Sequence, residues 1–188
     1  MWFSGFMRTF CALAAPSWRV PLLPNGPTPH ISPSCILILM QITLAHIGSR
    51  APSKEPIEAQ VQLYLGRCAA FARSQTEAFR SEEGFLEWLT RQQGRTPATA
   101  ILLDSRGKIM TSEAFAAWVG QRRDEGAQHL VFAIGPASGW SSSALDRAQL
   151  KLSFGPMTMA HALARLVLAE QLYRATTILT GHPYHAGH

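Results

Sequence analysis

The spacing of apolar and polar positions changes repeatedly after Met40, and each change marks an element. Met40–Ile47 is an apolar run interrupted by Gln41, Thr43 and His46, which reads as a strand closed by Gly48 and Pro52. In 57–73, Val61, Leu65, Cys68 and Ala72 recur at spacings of four, three and four, which predicts a helix over Ile57–Arg73. Thr76–Phe79 predicts a short strand. Ser81 then supplies an N-cap with Glu82 and Glu83 in the first turn of a helix reaching about Gln93. Thr99–Leu103 reads as a short strand ended by the polar turn Asp104–Gly107. Ser112 caps a helix to about Arg123, and Gly126 stops it. His129–Ile134 is continuous and apolar, as a central parallel strand is. A short helix over Ser142–Gln149 and a short strand, Leu150–Ser153, precede a loop and a last helix over about Ala160–Leu179. This alternation predicts an α/β domain with a largely parallel sheet.

The last helix is apolar nearly all round. Leu163 and Val167 mark one stripe; Leu168, Leu172, Ala175 and Leu179 mark another. Two apolar faces imply burial on both sides. That fits packing between the chain's own sheet and a second subunit, and equally the central helix of a monomer.

Residues 1–39 differ from the rest. They hold six prolines between Pro16 and Pro33, two arginines and no acidic residue. Phe10–Ala15 is apolar but too short to span a bilayer, and with Arg8 before it loosely resembles a signal peptide. A cleaved signal, a disordered extension and an upstream stretch that is not native are the three readings; the last, with Met40 as the start, is the expectation. The domain is then 40–188. At 47% apolar and 15% charged residues the chain has a globular composition. Its formal net charge of +5 is compatible with a polyanionic partner. Without 1–39 the net charge is +3, so affinity for such a partner must come from local clustering. Cys11, Cys35 and Cys68 are far apart and odd in number, which suggests reduced thiols in a cytoplasmic protein rather than a disulfide framework or a zinc site.

Four stretches could carry chemistry. Leu103-Asp-Ser-Arg-Gly-Lys108 ends a strand on a polar turn, and the carboxyl ends of parallel strands are where open α/β sheets bind ligands. Gly135, directly after the most buried strand, would let a ligand approach the backbone; no G-x-G-x-x-G accompanies it. Phe154-Gly-Pro-Met-Thr-Met159 combines a glycine, a proline and small or flexible residues, suited to a backbone-lined cavity for an adenine ring, and leads to His161. Tyr173-Arg174 and the tail Gly181-His-Pro-Tyr-His185 supply an aromatic, a cation and imidazoles. His182, His185 and His188 recur at spacings of three, but Pro183 and Gly187 oppose a helix presenting them together, so no metal is expected.

Taken in order, these blocks resemble the RlmH family of SPOUT-class methyltransferases. The resemblance is strong from Leu152 to His185 and fair over 102–108 and 131–139. Over 50–98 it rests on element order alone. The chain departs from the family pattern at Pro136, where a second glycine is usual, and at Ala160, where Thr-Leu-Pro-His becomes Thr158-Met-Ala-His161. The resemblance implies an α/β fold with a C-terminal trefoil knot and a homodimer, S-adenosyl-L-methionine as cofactor, and no membrane partner. It places the cofactor against Leu103, Gly135, Phe154, Gly155, Pro156, Met157, Thr158 and Met159. It further implies methyl transfer to N3 of a pseudouridine in 23S rRNA of the assembled ribosome. In that reading Arg174, His182 and His185 bind and polarise the base, Tyr184 stacks on it, and His161 is a reserve base; the tail serves the pocket of the partner subunit. Two alternatives stand beside it. One is a non-catalytic ribosome-binding factor, suggested by Pro136 and Ala160; the other is a SPOUT enzyme for a different RNA position.

Overall fold

The computed structural model describes residues 40–49, 55–92 and 97–186; the N-terminal stretch and its alternative readings lie outside them. Five strands form one sheet: β1 (Gln41–Ile47), β2 (Arg73–Phe79), β3 (Ala98–Ile109), β4 (His129–Ile134) and β5 (Leu150–Ser153). Every pairing is parallel, in the order β2-β1-β4-β3-β5. Four helices connect them, α1 (Pro56–Arg67), α2 (Glu82–Gln92), α3 (Ser112–Asp124) and α4 (Ser142–Arg147), and α5 (His161–Thr180) follows β5.

The two-residue alternation along β1 explains the layering. Ile42 and Leu44 join Leu130, Phe132 and Ile101 in a core covered by Val61 and Leu65 of α1, Phe115 and Val119 of α3, and Leu168 and Leu172 of α5. Ala45 and Ile47 point the other way and meet Phe85 and Leu89 of α2, Ala144 of α4, and Trp140. Both faces of the sheet are therefore buried, which is why β4 carries no alternation at all.

Several element boundaries differ from the sequence reading. The first helix stops at Arg67 and closes through a 3-10 turn, Cys68–Ala70, because the amide of Arg73 is already bonded to the carbonyl of Met40. The second strand accordingly starts at Arg73 and runs in register with all of β1. Thr111, not Ser112, caps α3: its side chain accepts from the amide of Ala114, while Ser112 Oγ donates to Gln171 Oε1 at 2.8 Å. Finally, β3 does not end at Leu103. Leu103 and Lys108 both face Leu152 of β5, so residues 104–107 bulge out of a strand that then resumes. Asp104 Oδ1 accepts from the amide of Arg106 at 2.8 Å, which folds the bulge on itself. Gly107 must be small there, since a Cβ would lie 2.7 Å from the backbone of Lys151. The short helix α4 ends at Arg147 with Ser141 as its cap.

Among the described residues no helix is long and apolar enough to cross a membrane. Cys68 is buried and donates to the carbonyl of Tyr64; burial pushes its thiol up to about 12. Cys11 and Cys35 lie outside the described residues.

Candidate active site

The bulge of β3, the carboxyl ends of β4 and β5 and the loop into α5 line a cavity of about 290 Å³. Leu103, Ile134, Leu152 and Ala164 form its apolar floor, and the whole of 154–159 forms its rim. Seven of the eight expected cofactor positions therefore meet in one place: Leu103, Phe154, Gly155, Pro156, Met157, Thr158 and Met159. The loop is pinned by one hydroxyl. Ser153 Oγ donates to the carbonyl of Ser105 at 3.1 Å and accepts from the amide of Gly155 at 3.1 Å, tying β5 to the bulge of β3. Gly155 has φ +108°, a backbone conformation reserved in practice for glycine. Met157 is 82% exposed, so a flexible thioether side chain stands over the opening. An apolar floor beneath a backbone-rich rim suits the flat face of a purine and an aliphatic sulfur chain. A second cavity of about 350 Å³ adjoins it between α3 and α5, sharing Leu152, Ser153, Phe154 and Met159.

Gly135 is not part of this wall. A Cβ there would lie 2.8 Å from the ring of Trp140, so the glycine makes room for an indole rather than for a ligand. That indole donates from Nε1 to the carbonyl of Leu103 at 2.9 Å and braces the cavity from behind. Pro136 likewise does not line the cavity; its carbonyl accepts from Gly139 in a tight turn.

The expected catalytic residues fall in two other places. His161 opens α5 beside the cavity, but its Nε2 is buried, has no hydrogen-bond partner, and its ring meets the edge of His46 at 5.8 Å. It faces inward, away from the cavity, which does not fit a base that receives a proton from substrate. Burial, reinforced by the Arg165 guanidinium, holds its pKa below the ordinary histidine value. Arg174 and Tyr184 lie at the far end of α5. From Ala164 to Arg174 is ten residues, about 15 Å of helix, so the expected adjacency of Arg174 to the loop does not hold within one chain.

At that far end Glu170 is the hub. It accepts from Arg174 Nε at 3.0 Å and Nη2 at 2.7 Å, and from the Tyr184 hydroxyl at 3.1 Å. The Arg174 guanidinium lies 5.1 Å from the centre of the Tyr184 ring, which packs on Tyr173 at 4.7 Å. Arg67 of α1 lies over Tyr64 and Tyr173 at 5.8 and 5.7 Å. Bonding to Glu170 raises the pKa of Arg174, which stays cationic. Burial, with Tyr64 and Glu170 nearby, pushes Tyr184 up to about 12 and keeps its hydroxyl protonated. His182 Nδ1 accepts from the amide of Tyr184. His185 sits in the closing 3-10 turn, Pro183–Ala186, and its side chain lies outside the described residues, as does His188.

Two partners were not anticipated. Glu170 stands one helical turn before Arg174, and that spacing is a readable signal. Glu58, in a buried ion pair with Arg165, is 107 residues from its partner, and no local pattern announces it. Among the described residues no three His, Cys, Asp or Glu side chains gather as a metal site.

The model of a family described as a predicted SPOUT methyltransferase matches residues 40–185. The ribosomal RNA large subunit methyltransferase H of Koribacter versatilis is 44% identical over 149 residues, covering 79% of this chain and 100% of that protein. Its namesake from Rhizobium leguminosarum bv. trifolii is 46% identical over 128 residues, covering 66% of this chain and 78% of that protein. Among solved structures, the SpoU methyltransferase AviRb from Streptomyces viridochromogenes, crystallised with AdoMet, is 12% identical with a TM-score of 0.41. That alignment covers 76% of this chain and 58% of AviRb. On the family match over 40–185 and a relative 44% identical along its whole length, this chain belongs to the SPOUT methyltransferase family.

Proposed function

We propose that this protein transfers a methyl group from S-adenosyl-L-methionine to N3 of a pseudouridine in 23S rRNA of the assembled ribosome. The observation that carries the reading is the cavity built by 103–105 and 154–159 in a chain 44% identical to a large-subunit rRNA methyltransferase H along that protein's whole length. Leu103, Leu152 and the 154–159 loop hold the cofactor, which supplies a methyl carbon activated by a sulfonium. The chain's own task is to position the acceptor and manage its proton.

N3 of a uracil-type ring is protonated at neutral pH and must lose that proton to attack. Arg174 remains cationic and Tyr184 remains protonated, so both act by stabilising the imide anion rather than as bases. The proton leaves to solvent. Tyr184 and Tyr173 offer aromatic faces for an extruded base, and Arg67 and Arg174 supply cations for the backbone. This arrangement meets the modest net charge, because the cations are concentrated where α1 and α5 end together.

The reading requires two copies. Arg174 and the tail of one chain serve the cavity of the other, and the exposed apolar side chains Leu63 and Leu163 on α1 and α5 are consistent with a helix–helix contact between them. The C-terminal part, from β5 into α5, is the segment in which a trefoil knot would hold the cofactor.

Methyl transfer from labelled S-adenosylmethionine to intact ribosomes lacking the modification, with nucleoside mass analysis, tests this. Methylated pseudouridine in large-subunit RNA is expected. Label on another nucleoside would indicate a SPOUT enzyme for a different position. No label, together with no cofactor binding, would indicate a non-catalytic ribosome-binding factor.

A further inference from the structure

Where β1 meets the first turn of α5, three buried polar nitrogens have no hydrogen-bond partner: His46 Nδ1, His161 Nε2 and Arg165 Nε. Such groups are rare in folded proteins, and three around one point call for an explanation. His46 is the penultimate residue of β1, on the face covered by α1 and α5, and is 4% exposed. Its Nε2 is bonded to the carbonyl of Ser49, so in the neutral ring that nitrogen carries the proton and Nδ1 carries the lone pair. Gly48, at φ +151°, brings the backbone against the His161 ring; a Cβ there would stand 3.8 Å from it. Arg165, one turn into α5, is paired with Glu58 of α1.

The first turn of α5 needs such support. Its N-cap is Ala160, which makes no side-chain cap, and no acidic residue lies in the first turn. The same turn carries Ala164, and the residue before its cap is Met159; both line the cavity. We propose that His46 is a positioning residue for the cofactor site, locking His161 and hence the first turn of α5 in the place that closes the cavity, and that protonation of this pair releases the lock. The proposal rests on reading the 154–159 cavity as the cofactor site.

The charges decide the direction. Among the described residues His46 faces Arg165 and His161 of α5 and Glu58 of α1. With both imidazoles neutral, Arg165 and Glu58 cancel. A proton on either ring leaves a net positive charge buried beside a guanidinium, and His161 also sits at the positive end of the helix dipole. Burial first, then the Arg165 charge, lowers the pKa of both rings, so the lock is closed at neutral pH and opens on acidification.

Amide hydrogen exchange of 155–165 in the cofactor-free protein, corrected for intrinsic rates, is compared at pH 7.5 and 5.5 for wild type, His46→Gln and His161→Gln. Glutamine at 46 can keep the bond to Ser49 without titrating. Wild-type amides are expected to exchange about tenfold faster at the lower pH, and the variants by about threefold or less. Wild type showing no acid opening, or both folded variants opening as wild type does, would overturn the proposal. Calorimetric affinity for S-adenosylhomocysteine at both pH values separates it from the reading beneath it. No binding by wild type at pH 7.5, with exchange following His46 as described, would sink the cofactor reading and leave the lock standing. Binding in His46→Gln and His161→Gln with the full wild-type acid loss would do the reverse.

Discussion

Gly135 shows how the fold can give to a side chain the space that a sequence reading reserves for a ligand. A glycine after a buried strand invites a ligand, but here the space is filled by Trp140, five residues on, whose indole holds the carbonyl of Leu103. Gly135→Ala forces a rigid, hydrogen-bonded ring to move, and should destabilise the protein by about 1–3 kcal/mol in urea unfolding. Gly66→Ala is the contrasting case: it lies in α1 with nothing within 4 Å of the added methyl, so helix propensity should raise stability by roughly 0.5–1 kcal/mol. The sequence puts one in a helix and the other after a strand, but what lies beside each depends on what the fold brings alongside. Glu170 is the opposite: its place one turn before Arg174 makes the pair legible in the chain.

At the scale of elements, the apolar spacing located all five strands and all five helices, and the differences concern their ends. The apolar spacing runs past the end of α1 because Cys68 and Ala72 continue it while belonging to a 3-10 turn and its exit. Burial, not helix, is what that spacing recorded. At α3, two adjacent hydroxyls compete to cap, and only the backbone decides. Thr111 is extended at φ −72° and ψ 163° and bonds to Ala114, so Thr111→Ala should cost about 1 kcal/mol in thermal or chemical unfolding. Asp104–Gly107 is a turn in chemistry, as its composition predicts, yet β3 resumes beyond it because β5 supplies a partner for Lys108 and Ile109.

For the whole molecule, two consequences follow from how distant parts meet. If Arg174 serves the partner's cavity, Arg174→Ala and a cofactor-defective variant such as Gly155→Trp should each be inactive alone. Mixed by unfolding and refolding, they should recover methyl transfer in the heterodimer, through the one site that receives an intact half from each chain; no recovery would place both halves in one chain. Stability should also depend on pH through the histidines. His46, His129 and His161 are all shifted down, principally by burial. The unfolded chain therefore takes up protons below about pH 6.5 that the folded chain refuses. Stability should be full above that pH and decline as pH falls through the lowered folded values, visible as a falling urea midpoint between pH 7.5 and 5.0.

The sequence by itself determined the α/β class, the strand and helix order and the loop that lines the cavity. Each of these depends on neighbours within a few residues: apolar period, caps, and a glycine-proline run at a strand end. Through its resemblance to relatives it also indicated the family, which the comparisons then established. Only the tertiary structure decided that Trp140 fills the space above Gly135 and braces Leu103, that His161 meets His46, and that Glu58 pairs with Arg165. The physical reason is common to all three. A contact between residues far apart in the chain is set by which faces of which elements are buried together, and the period of a single element does not contain that information.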